Sequence, residues 1–126
     1  MSKAAITKSS LRKRFSKAVL ARDGQRCRKC GVIGDCEGKT RMKLSAHHII
    51  DRNNIEGGGY VVENGITLCD GARGSNDGCH WLAEQYHLTG FAIQGYSQAD
   101  LFALIGSSEA KAREAAAKAA LRRRKP

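Results

Sequence analysis

Five cysteines constrain what this 126-residue chain can fold into more than any other feature. Cys27 and Cys30 are two residues apart, set among Arg26, Arg28, Lys29 and Gly31, which is the spacing of a zinc knuckle. Gly31 lets the knuckle turn expose backbone amides toward the thiolates. Cys36, Cys69 and Cys79 complete the five, and an odd count in an intracellular chain does not make a disulfide framework. A redox Cys-x-x-Cys belongs near a βαβ pattern, which this sequence lacks. The expected zinc ligands are therefore Cys27, Cys30, Cys69 and Cys79, with Cys36 the rival for one place. The long gap from Cys69 to Cys79 holds Gly71, Gly74, Ser75 and Gly78, which would let a loop bulge while the two cysteines still meet.

A chain of this size gains from such a staple. Hydrophobic residues make up 41% and aromatic ones only 6%, so the core is expected to be thin, with the single Trp81 inside it. No apolar run approaches the roughly 20 residues of a membrane helix, and no apolar block follows the basic N-terminus as in a signal peptide. The expectation is a cytoplasmic protein without a membrane partner.

The formal net charge is +10, and its distribution is uneven. Residues 1–29 carry ten Lys/Arg against the single acid Asp23, and residues 109–126 carry seven against Glu109 and Glu114. The segment between them is acidic on balance. Two basic ends around a centre rich in metal-ligand residue types favour a polyanion, because Lys/Arg contacts to phosphate drive sequence-independent binding. Bound divalent ions would offset the acidic middle. DNA is the expected partner, contacted by Arg12, Lys13 and Lys17 at one end and Arg122, Arg123 and Arg124 at the other.

Residues 9–22 place Leu11, Phe15, Ala18, Val19 and Arg22 at helical spacing, with Ser9 or Ser10 as the cap and Asp23-Gly24 as the stop. Residues 25–45 read as small hairpins, Leu44 to Ile50 as a strand, and Tyr60 to Val62 as a short extended piece. A helix starts near Cys79. Ser97-Gln98-Ala99-Asp100 signals another through about Ile105. Ser108-Glu109 opens an Ala-rich helix whose apolar positions are nearly all alanine, so weak packing and ordering on a partner are expected. The whole reads as one domain: a basic helical arm (1–24), a metal-stabilised core (25–90) and a helical extension with a basic tail (91–126).

Chemistry enters with His47-His48, Asn64 and Cys79-His80. Neutral imidazole binds divalent metals, and its pKa near neutrality suits a general base. Adjacent strand residues point to opposite faces, but where a strand gives way to a loop the pair can converge. One histidine would then hold a metal while the other faces a water, as in a metal-assisted hydrolase.

Taken together, Cys27-x2-Cys30, Ser45-Ala46-His47-His48-Ile49-Ile50, Glu63-Asn64-Gly65-Ile66-Thr67-Leu68-Cys69 and Cys79-His80 resemble the HNH endonuclease family, over about Phe15 to His87. The segment Ala21 to Cys27 is similar to the helix-to-knuckle entry of phage and bacterial members. The resemblance implies an α+β chain built on a ββα-metal (His-Me finger) core with a four-cysteine zinc site and flanking basic helices. It implies hydrolysis of DNA phosphodiester bonds, by nicking or double-strand cleavage, with little intrinsic sequence specificity. His47 would bind the catalytic ion, His48 would deprotonate the attacking water, Asn64 would hold the loop that aims His48, and His80 would be a second ligand of the ion. The ion would be Mg²⁺, Mn²⁺ or Ni²⁺ beside the structural Zn²⁺. Phage members often work beside the DNA-packaging terminase, which makes such a partner an expectation.

Some relatives have another histidine four residues after the one matching His80. Here Glu84 stands there, either as an oxygen ligand or as a solvated helix residue. His87 reads as a packing residue, and Asp51 and Asp70 as loop acids that cap or turn. The rival from another class is a non-catalytic zinc-ribbon DNA-binding protein, which would use the cysteines and basic ends but leave the histidines and Asn64 without a task. A toxin-type nuclease lacks a delivery segment.

Overall fold

The computed structural model describes residues 7–71 and 77–124. Gly74 and Ser75, expected to bend the loop before Cys79, lie outside the described residues. The chain forms a small α+β unit of four helices and a three-stranded sheet among those residues. In chain order these are α1 (Lys8–Arg22), β1 (Gly34–Asp35), β2 (Met42–His48), β3 (Gly65–Cys69), α2 (Cys79–Thr89), α3 (Gln98–Leu104) and α4 (Glu109–Arg124). The sheet order is β1-β2-β3, with β1 parallel to β2 and β2 antiparallel to β3. The expected hairpins of residues 25–45 reduce to one bridge between Arg26 and Ile33 and this two-residue parallel pairing. None of the described helices is long and apolar enough to cross a membrane.

Helix α1 starts earlier than its serines suggest. Thr7, not Ser9 or Ser10, is the cap, its hydroxyl accepting from the Ser10 N–H at 3.0 Å. The helix buries Phe15, Val19 and Leu20, leaves Ala18 exposed, and lies close on the start of β3. A Cβ on Gly65 would stand 2.5 Å from Val19 Cγ2 and 2.7 Å from Phe15 Cζ, so only glycine permits that approach. Asp23 then locks the end of α1 to β3. Its carboxylate is buried, accepts from the Thr67 N–H at 2.9 Å and pairs with Arg22 at 2.9 Å. Arg22 in turn donates to the Gly65 carbonyl at 2.6 Å.

The core runs through all three expected segments, from Leu20 through Ile66 and Leu68 to Leu101, Phe102 and Ala112. Trp81 is not part of it, being 39% exposed. At 100° per residue, Cys79 and Ala83 share the inward face of α2, and Trp81 falls on the opposite side. The alanine-rich α4 also departs from expectation. Ala112, Ala116 and Ala120, spaced by one turn, are buried against the 3-10 turns Glu56–Gly59 and Val62–Asn64. Small side chains let the helix lie close, where backbone and Cβ atoms supply the contact. Its arginines add to the hold: Arg113 donates to the Asn54 carbonyl at 3.0 Å and Arg123 to the Gly57 carbonyl at 3.1 Å, while Arg124 pairs with Glu56 at 3.2 Å. The capping box of Ser97 and Asp100 is formed as expected.

Candidate metal centres

The Cys27 knuckle, the end of β3 and the start of α2 meet at one point. The sulfurs of Cys27, Cys30, Cys69 and Cys79 all lie within 4.8 Å of one another, close enough to hold a metal ion such as zinc. Cys30 Sγ and Cys69 Sγ are 3.6 Å apart, near the roughly 3.8 Å that tetrahedral Zn–S bonds of about 2.3 Å impose. Backbone amides support the sulfurs: the Cys30 N–H faces Cys27 Sγ and the Cys79 N–H faces Cys69 Sγ, each at 3.5 Å. Burial opposes ionisation of Cys27, but the surrounding amides outweigh it and hold its pKa below the ordinary thiol value. Burial pushes Cys69 and Cys79 up, and the charge on Cys27 adds to that. A cation among the four would reverse this penalty. Tyr96 closes the site, donating its hydroxyl to Cys79 Sγ at 3.4 Å beneath the Lys29 ammonium. Cys36, the rival ligand, is exposed and stands outside the cluster.

The second cluster lies between the end of β2 and α2, where His80 directly follows Cys79. His47 and His48 are the last residues of β2, opposite Ile66 and Gly65 of β3. Strand alternation sends His47 toward α2 and His48 toward α1. His47, His80 and Glu84 bring their ligating atoms within 4.8 Å of one another. Glu84 Oε1 is 3.5 Å from His47 Nδ1 and 3.4 Å from His80 Nε2, so its carboxylate stands with the two imidazoles while its side chain stays 38% exposed. His47 Nδ1 is buried and makes no hydrogen bond, and burial lowers the pKa of its ring. A buried imidazole nitrogen that faces a carboxylate at 3.5 Å, with a second imidazole in the same cluster, is a donor set that fits a divalent cation. Without a cation, charge gathers on the other two members. Burial disfavours protonated His80, but its bonds to Asp70 and Glu84 prevail and lift its pKa to about 9. Glu84 is held well below the ordinary carboxylate range by His47 and His80.

His48 has a different setting. Its ring packs on Phe15 at 4.4 Å between centroids and edge-on to Tyr60 at 4.9 Å. Burial, then the neighbouring His47 and Arg52, lowers its pKa to about 4, so it is neutral near pH 7. Asn64 is fully buried behind it. Its Oδ1 accepts from the Ile50 N–H at 2.9 Å, and its Nδ2 donates to the carbonyls of Ile50 at 3.1 Å and Gly59 at 3.3 Å. Both ends of the loop following His48 are thereby tied to one side chain.

Both histidines of the pair, with His80 and Glu84, line a cleft of about 570 Å³ whose walls also carry Arg12, Ser16 and Arg52. Of the six basic residues expected at DNA, Arg12 is the one that enters this cleft. Lys13 and Lys17 are exposed on α1 outside it. Arg122 is exposed beside Lys118, whereas Arg123 donates to the Gly57 carbonyl and Arg124 pairs with Glu56, each through one of its guanidinium nitrogens.

Two residues of the site had no part in it from sequence alone. His87 packs, as expected, but against the site itself: it stacks on His47 at 5.2 Å and its Nε2 lies 2.9 Å from the His48 carbonyl. Asp70 is more than a turn former, with Oδ1 3.1 Å from His80 Nδ1. Its one sequence signal is position, since Asp70 follows Cys69 as His80 follows Cys79. No protein-family model, curated protein or solved structure matches this chain.

Proposed function

We propose that the chain is a metal-dependent endonuclease of the HNH type, in which β2, β3 and α2 form a ββα-metal core and the four cysteines hold a structural zinc. The observation that carries this reading is the cluster of His47, His80 and Glu84, with the neutral His48 beside it in one cleft. His47, His80 and Glu84 would hold Mg²⁺, Mn²⁺ or Ni²⁺. Such an ion offsets charge on a phosphodiester during displacement and assists the departing oxygen.

The chain's own residues account for the rest. His48, kept unprotonated by burial, accepts the proton of the attacking water. Phe15 and Tyr60 hold its ring, and Asn64 holds the loop it leads into, so its direction is set before substrate arrives. Arg12 and Arg52 on the cleft walls supply positive charge for the phosphates on either side of the scissile one.

Zinc-loaded protein freed of other divalent ions should leave supercoiled plasmid intact and nick it once Mg²⁺, Mn²⁺ or Ni²⁺ is added. His47→Ala should stay inert with each ion. Nicking by the ion-free protein, or by His47→Ala at the wild-type rate, would contradict the reading. A protein that shifts plasmid mobility but never cuts would be a zinc-ribbon binder instead.

A further inference from the structure

We propose that Asp70, held by Ser45, is a positioning residue that fixes the tautomer and the ring angle of His80, so that His80 presents Nε2 to a divalent cation. This rests on the reading of His47, His80 and Glu84 as a cation site. Two carboxylates bracket the His80 ring from opposite nitrogens. Asp70 Oδ1 is 3.1 Å from Nδ1, and Glu84 Oε1 is 3.4 Å from Nε2. A neutral imidazole carries one N–H, and a carboxylate accepting at Nδ1 assigns the proton there, which leaves the Nε2 lone pair on the side of Glu84 and His47.

Asp70 is itself immobilised. The Ser45 hydroxyl lies 2.9 Å from Oδ1 and 3.0 Å from Oδ2, and the Lys43 ammonium stands 4.0 Å away. The backbone of Asp70 continues the strand pairing, its N–H donating to the Lys43 carbonyl at 2.9 Å. On the other side, Gly78 lets the entry to α2 press on the Asp70 carbonyl, because any Cβ there would overlap Asp70 and Gly71 backbone atoms. The thiolate cluster adds a further restraint. Cys69 and Cys79 belong to it, and the residues that follow them are Asp70 and His80. The aspartate and the histidine are thus each one peptide bond from a shared anchor.

The test is Mn²⁺ affinity, read by electron paramagnetic resonance on full-length, zinc-loaded wild type, Asp70→Ala, Asp70→Asn and Ser45→Ala. Removing a carboxylate behind a ligating histidine weakens metal binding by about 10- to 100-fold, and that loss is expected for Asp70→Ala. Asp70→Asn should recover most of it, since the amide oxygen still accepts from Nδ1–H. A purely structural role would change the melting temperature and leave Mn²⁺ affinity alone. Should Asp70→Ala fail to fold, Ser45→Ala leaves the carboxylate in place and is expected to bind Mn²⁺ severalfold more weakly. Wild-type affinity in the folded alanine variant, or in Ser45→Ala, would overturn the positioning role while leaving the cation site standing. Asparagine as weak as alanine would overturn orientation as the cause. A wild type that binds no Mn²⁺ would overturn both readings together.

Discussion

At the scale of single residues, the site depends on polar side chains whose partners are backbone groups. Asn64 satisfies one N–H and two carbonyls of the loop beyond His48 from a fully buried position. Replacing it with alanine leaves those groups without partners, and each buried unsatisfied group costs about 1–3 kcal/mol. Asn64→Ala should therefore lose about 3 kcal/mol in urea unfolding, with cleavage lost as well under conditions where the variant remains folded. An unchanged urea midpoint would show that the loop holds itself. The two histidines and Asn64 were legible because their residue types and order carry chemistry on their own. Asp70 and His87 were not, because an aspartate in a glycine-rich stretch and a histidine late in a helix acquire roles only from what the fold brings near. His87 meets the carbonyl of His48, 39 positions earlier, and no local pattern reports such a contact.

Among the elements, a strand at the histidine pair and a helix starting at Cys79 were readable, but the strand is Met42–His48 and not Leu44 to Ile50, so Ile49 and Ile50 lie beyond its end. Helix α4 was the harder case. An alanine stripe looks weak on a hydrophobicity scale, yet three alanines one turn apart give a surface that can approach a glycine-rich turn closely. The same closeness leaves no room. Ala116→Leu should cost about 1–3 kcal/mol through overpacking, measured as a fall in the urea midpoint. A helix resting loosely on the surface would absorb the larger side chain with no change. Trp81 shows the converse error: the largest apolar residue was assigned to the core by type, while the geometry of α2 gives the inward face to Cys79 and Ala83.

For the molecule as a whole, the two clusters are not separate modules. Cys69-Asp70 and Cys79-His80 each give one residue to the thiolate cluster and one to the histidine surroundings. Zinc at the four cysteines would then contribute folding energy and hold the second site in shape. Cys27→Ser, or removal of zinc with a strong chelator, should abolish the cooperative melt or lower its midpoint steeply, and Mn²⁺ affinity should fall with it. A melting curve unaffected by either treatment would contradict the staple. Among the described residues, the buried apolar side chains run from Leu20 to Ala116 and include Leu44, Ile66 and Leu68 of the strands together with Cys27, Cys69 and Cys79.

The central claim is that His48 performs chemistry beside a cation it does not hold, and one comparison tests it most directly. Supercoiled plasmid is incubated with wild type and His48→Ala at matched Mn²⁺ occupancy, the occupancy being measured on the same samples. Expected are equal Mn²⁺ affinities and nicking by the variant slowed by about 10²- to 10⁴-fold, the usual contribution of a general base. Equal nicking rates at equal occupancy, or no nicking by either protein with Mn²⁺ bound, would contradict it.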